Sequence, residues 1–195
     1  MDHTIEYSVY SNLYTYLKVI GFTPVEAIKT RSDFVNTVQF YSHIKIKALK
    51  DKLPLYIFLA VDEKYTSRSA ECVRLLNMVE EKEARVIIVG RNDIKPSVKK
   101  AIHKYTKKKI DVFTYTFTPF KVDPRQCSMV PVHKLCTDEE TKQILLDNHI
   151  SLNQLPKIKK ADPQVIWVGG SVGQVVKIIR NNVTSMDVYY RVIIA

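Results

Sequence analysis

The chain has 195 residues, 46% of them apolar, the composition of an ordinary globular protein with room for one large domain or two small ones. No run approaches the roughly 20 apolar residues of a membrane helix. Asp2 and His3 open the chain without a charged n-region and apolar core, so no secretory leader is expected. Three cysteines, Cys72, Cys127 and Cys136, without a CxxC pair argue against a disulfide framework and suit a reducing compartment. The formal net charge is +10, most of it on residues 1–128, which raises the local concentration of polyanions such as nucleic acid.

Ile5, Val9, Leu13, Leu17 and Ile20 recur every three or four residues and predict an amphipathic helix that Gly21 terminates. Thr23-Pro24-Val25-Glu26 reads as a second helix start, with a capping hydroxyl, a proline at the first position and an acid that can reach back. Phe34, Val35 and Val38 continue helically. Three strand-like runs follow, Leu55 to Val61, Arg85 to Val89 and Ile110 to Phe117. Between them lie two helical segments, one with Val73, Leu76 and Val79 on a face, the other starting near Pro96 with Val98, Ile102 and Tyr105. Strand–helix–strand–helix–strand order predicts right-handed crossovers and a largely parallel sheet.

Thr118-Pro119 and Asp123-Pro124 predict an extended linker, because residues before proline avoid the helical region. Beyond it, Thr137 to Glu140 form a capping box with extra acid in the first turn, and Ile144, Leu145 and Ile150 continue that element. Gly169-Gly170 and Gly173 mark turns. Gln174 to Ile179 and Val188 to Ile194 read as strands, with Asn181-Asn182 opening the loop between them. The expected fold class is α+β: a mixed α/β domain at 1–120, a linker at 121–128 and a small α/β domain at 129–195.

Four fragments of the last third, "VPVHKLCTDEETKQILL", "QLPKIKKADP", "GQVVKIIR" and "VYYRVII", occur in an order and at distances that resemble one family. It is the fifth subunit shared by the nuclear DNA-dependent RNA polymerases, whose archaeal counterpart is shorter. Residues 129–195 resemble that subunit's assembly domain. Residues 1–128 are similar to its eukaryotic-type jaw in element order and in stretches such as "KPSVKKAI". The resemblance implies a restriction-endonuclease-like jaw and a non-catalytic, structural role. It implies docking on the largest subunit, neighbours among the other polymerase subunits, and a channel wall beside downstream double-stranded DNA. Neither a membrane nor a small-molecule substrate is implied. Trp167 with Gly169-Gly170 in "QVIWVGGSVGQ" departs from the cellular pattern and looks more like members encoded by large cytoplasmic DNA viruses. The implied location is the nucleus for a cellular member, and a viral factory or virion for a viral one.

The residues offer candidates for each role. Pro156 and Pro163 stiffen a loop on which Leu155 and Ile158 form an apolar pair, and Asp162 can cap the helix after it. A rigid, partly apolar loop loses little entropy on docking, although the same residues could simply close a small core. Tyr189, Tyr190 and Arg191 are of types enriched at interfaces. Lys177 and Arg180 fall on opposite faces of a strand and form no basic cluster. Trp167 suits a core or a contact. Between Asp93 and Asp111 no acid interrupts the lysines. On a helix Lys100, Lys104 and Lys108 share one row and Lys99, His103 and Lys107 the next, opposite Val98, Ile102 and Tyr105. Such a stripe can lie along phosphates without reading bases, or be a solvated face.

Catalysis finds little support. Cys127, His133 and Cys136 have no closed zinc spacing, and a fourth ligand would have to be His103 or His149. Asp62-Glu63-Lys64 matches the D-x-K of metal-dependent nucleases, yet upstream only Asp33 and Asp51 could assist, neither on a convincing neighbouring strand. No catalytic residue, metal or cofactor is therefore expected. The rival to a polymerase subunit is a free-standing, basic, nucleic-acid-binding transcription regulator.

Overall fold

Helical spacing sets the first element. Val9, Leu13 and Leu17 are buried along one side of α1 (Thr4–Val19), while Ile5 is exposed and Ile20 half-buried, so the buried stripe is shorter than its sequence period. The helix closes by donating Phe22 N–H to Leu17 O (2.9 Å) and Gly21 N–H to Lys18 O (3.2 Å). That turn needs a left-handed residue, and Gly21 has φ +81°. The computed structural model describes residues 3–28, 30–50, 53–81, 83–106, 110–181 and 186–195.

Thr23-Pro24 does not begin a helix. It forms β1 (Thr23–Pro24), paired antiparallel with β2 (His43–Lys50), and Val25 N–H donates to Lys47 O at 2.8 Å. Proline is tolerated because β1 is the sheet's edge. The helix starts later, at α2 (Arg31–Tyr41), where Thr30 accepts from Asp33 N–H. β2 pairs antiparallel with β3 (Leu53–Ala60). β4 (Ala84–Gly90) and β5 (Ile110–Thr116) then add in parallel, giving the order β1-β2-β3-β4-β5. The expected largely parallel sheet is thus mixed, because β2, whose buried Ile44, Ile46 and Ala48 alternate with Lys45 and Lys47 and which the strand reading passes over, returns directly alongside β3.

The crossovers carry α3 (Lys64–Ser67), α4 (Ser69–Leu76) and α5 (Pro96–Thr106). Cys72, Leu75, Leu76, Val98 and Ile102 pack on Tyr56, Phe58, Val86 and Ile88, the alternate residues of one sheet face. α1 lies on the other face. There Phe120 stacks edge-on between Tyr16 of α1 (5.3 Å) and Tyr115 of β5 (5.9 Å). Arg91, after β4, pairs with the buried Glu6 of α1. The segment expected to be extended contains two 3-10 turns instead, Thr118–Phe120 and Pro124–Gln126. Proline occupies an early position in each, where it has no N–H to leave unpaired.

The chain divides into two units, Met1–Val122 and Asp123–Ala195. The second holds a four-stranded sheet in the order β6-β8-β9-β7, from β6 (Val132–Leu135), β7 (Lys157–Lys159), β8 (Val175–Asn181) and β9 (Met186–Ile194). Only β8 and β9 are legible as strands in the sequence; Asn182 lies outside the described residues. α6 (Asp138–Asp147) has the reciprocal capping box of Thr137 and Glu140, and its Ile144 and Leu145 pack with Val175 and Val192. α7 (Pro163–Trp167) is capped by Asp162, which accepts from Gln164 N–H at 2.8 Å, and its Val165 packs on Val176, Ile178 and Ile193 of the opposite face. The molecule is thus mixed α+β with two sheets.

Candidate docking and nucleic-acid surfaces

Two surfaces gather the candidate residues. In the second unit, Leu155 and Pro156 lead into β7 while Val188 to Arg191 run along β9, and together they wall an apolar cleft of about 260 Å³. Ile144, Asn148 and Ile150 supply its other side. Tyr189 and Arg191 are exposed, and Tyr190 and Asn148 add polar tips at the rim. Arg191 Nη1 donates weakly to Lys157 O at 3.4 Å. The cleft can accept apolar side chains and fix them with a few hydrogen bonds at its edge.

The expected apolar pair on the loop needs correcting. Leu155 is 6% and Ile158 9% exposed, on opposite faces of the sheet. Ile158 belongs to the α7-side core and does not line the cleft. Asp162 and Pro163 serve the start of α7, also away from it. Alternation puts Leu155 and Ile158 on different sides as soon as Lys157–Lys159 becomes a strand, and three residues are too few for that strand to be seen in sequence. The cleft residues not anticipated are Ile144, Asn148, Ile150 and Val188; only their pairing and packing reveal them.

In the first unit the lysines are presented by α5. Val98 and Ile102 are buried against the sheet, so Lys99, Lys100, His103 and Lys104 project outward and are exposed. Lys95 N–H donates to Thr66 O at 3.0 Å and anchors the start of the helix on α3. Lys107, Lys108 and the side chain of Tyr105 lie outside the described residues. The described face is basic, with ammonium groups one turn apart, a spacing suited to neighbouring phosphates.

The remaining candidates are structural. Trp167 is fully buried, with the Arg125 guanidinium 5.0 Å above its ring. Asp123 grips that guanidinium at 2.9 and 2.7 Å and also accepts Arg125 N–H at 3.0 Å. The hydrogen bonds from Arg125 hold the Asp123 carboxyl below the usual carboxylate range, against the opposing effect of burial. Asp62 turns back on its own motif: it accepts Lys64 N–H at 2.9 Å and lies 3.4 Å from Lys64 Nζ. Asp33 sits in α2, and Asp51 is outside the described residues. Among the described residues no three His, Cys, Asp or Glu side chains converge to hold a metal. Burial pushes the Cys72 thiol up to about 11 and also raises Cys136, so neither is a ready thiolate near neutral pH.

Residues 122–193 match the family model described as RNA polymerase Rpb5, C-terminal domain. The DNA-directed RNA polymerase subunit Rpo5 of Thermococcus celer is 35% identical over 85 residues, spanning 44% of this chain and 89% of that protein. The subunit RPABC1 of DNA-directed RNA polymerases I, II, and III from Caenorhabditis briggsae is 28% identical over 183 residues, 93% of this chain and 82% of its own. Its counterpart in Dictyostelium discoideum is 32% identical over 114 residues, 57% of this chain and 58% of that one.

Proposed function

Because the chain belongs to the RNA polymerase Rpb5/Rpo5 family and is a non-catalytic subunit of a DNA-directed RNA polymerase, we propose that it docks on the largest subunit through its second unit and lines the entry path of downstream double-stranded DNA with α5. The observation that carries the docking reading is the cleft formed by Leu155, Pro156 and Val188 to Arg191, within the region matched by the family model. Leu155, Ile158, Asp162 and Pro163 act from beneath: buried or capping, they hold the loop and α7 in shape, while Pro156, Tyr189, Tyr190 and Arg191 make the contact. The DNA reading is supported by the exposed Lys99, Lys100 and Lys104, with Lys107 and Lys108 continuing the basic run in sequence. The first unit, from the start of the chain to about residue 120, is read as the jaw, with a restriction-endonuclease-like arrangement supported by its β3-to-β5 crossovers. Trp167 with Gly169-Gly170 favours a virally encoded polymerase, which would place the protein in a cytoplasmic factory or virion; in a cellular polymerase its place is the nucleus.

The test is incorporation of the tagged full chain into its polymerase. Tyr189→Asp with Arg191→Glu changes two exposed side chains and leaves the core untouched. It should weaken incorporation roughly 30-fold, the effect of losing about 2 kcal/mol at an interface centre. Normal stoichiometry with the two largest subunits would remove Tyr189 and Arg191, which alternate along β9 with Val188 and Tyr190, from the interface.

A further inference from the structure

The sheet of the second unit has one face that α6 covers only in part. Three cross-strand rows follow one another along it. Val175 and Val192 lie under α6. The next row is Lys134, Lys177 and Tyr190, and the one beyond is Val132, Ile179 and Val188. Exposure grows along this series: Val175 and Val192 are buried, Lys177 and Tyr190 half-buried, while Val132 is 51% and Val188 36% exposed. The outer row runs from the cleft at Val188 to a second cleft of about 540 Å³ lined by Met129, Val130 and Val132. Met129 is 90% exposed.

The lysine row is the unexpected part. Lys134 and Lys177 are direct partners on adjacent antiparallel strands, so their side chains leave the same face side by side. Like charges in that position are destabilising. Neither ammonium forms an ion pair with a carboxylate among the described residues. Glu140, in the first turn of α6, is already engaged by Thr137 N–H at 2.8 Å. A pair of cations beside an open apolar row fits a ligand that supplies negative charge and apolar side chains together.

We infer that this face is the seat of an acidic segment of another polymerase subunit, with an apolar side chain on the Val132–Ile179–Val188 row and an Asp or Glu between Lys134 and Lys177. The inference rests on the docking reading and extends it to the chemistry of the occupant. Rows two residues apart on a strand are separated by roughly 6.6–6.8 Å. An extended segment running along the strands therefore presents its apolar and acidic residues two positions apart. Nucleic acid is disfavoured, because a phosphate chain offers nothing to the apolar row.

A photo-crosslinking phenylalanine analogue at position 132 of the full chain tests this inside the assembled, purified polymerase. Mass spectrometry should find the crosslink in a subunit segment that carries Asp or Glu within a few residues. A crosslink to nucleic acid, to a basic or uncharged segment, or none in a polymerase containing the chain would overturn the inference. In parallel, Lys134→Glu with Lys177→Glu should lower incorporation about tenfold, as when one partner of an interfacial charge pair is reversed. Lys134→Arg with Lys177→Arg should keep it. Trp167 fluorescence checks that the second unit is folded. If Tyr189→Asp with Arg191→Glu is excluded while the lysine reversal enters at the wild-type level, docking stands and this face is refuted; if both enter normally, docking itself falls.

Discussion

Asp123 and Arg125 illustrate how one side chain can govern a unit. Asp123 is almost fully buried, and three donors from Arg125 converge on it. The guanidinium in turn lids the protein's single tryptophan. Replacing Asp123 by Asn removes the charge and part of the grip, and should cost about 1.5–3 kcal/mol, the range for hydrogen bonds to charged groups. Denaturation followed by Trp167 emission reads this in the second unit alone. The folded carboxyl titrates below its ordinary value, so its contribution is complete above about pH 3.9. It is lost as pH falls through the lower folded value. The wild type should therefore lose stability in acid more steeply than Asp123→Asn, and equal acid limbs would show that the pair is idle. Of this triad the sequence shows only the tryptophan and an Asp-Pro turn; the stacking depends on a contact across some forty residues.

Elements that carry their own signals are legible in the chain, and those defined by a partner are not. Thr137 to Glu140 and Asp162-Pro163 announce α6 and α7 because capping is local chemistry. β1, β6 and β7 have two to four residues each, and only the neighbouring strand makes them strands. Thr23-Pro24 is as compatible with an edge strand as with a helix start, and hydrogen bonding to β2 decides. For the same reason Leu155 and Ile158 look adjacent in sequence but point to opposite faces. Gly170 shows how tightly such elements meet. A Cβ there would lie 2.6 Å from Ile193 Cδ1 and 2.9 Å from Val165 Cγ1, between β9 and α7. Gly170→Ala should destabilise the second unit by about 1–3 kcal/mol through overpacking. Ile193→Val in the same chain removes the nearer methyl and should restore part of the loss. A strictly additive double mutant in denaturation would mean that the two positions do not touch.

At the scale of the molecule, the two units differ in which relatives they match. The archaeal relative is matched over 89% of its length by less than half of this chain, whereas the nematode relative spans nearly all of it. The basic α5 belongs to the unit outside the family model's match. If α5 faces phosphates, Lys99→Glu, Lys100→Glu and Lys104→Glu together should weaken the assembled enzyme's hold on downstream duplex at low salt. The slope of log affinity against log salt should become shallower by roughly 0.9 for each phosphate no longer neutralised. The effect should be equal for unrelated sequences, since no base edge is read. An unchanged slope would leave α5 as solvated surface. The strand order of the second sheet has a further consequence, for synthesis. β9 sits between β8 and β7, and β7 has no other partner among the described residues. While the chain is still being made, β6 and β8 can pair, but β7 stays single until Ile194 has left the ribosome. At about 5–20 residues per second, the stretch from Val132 onward takes several seconds to emerge. By then every residue of the first unit is already available to fold. The second sheet is thus completed only after the whole first unit has emerged, so a chain stopped before β9 carries β7 without the strand that makes it one.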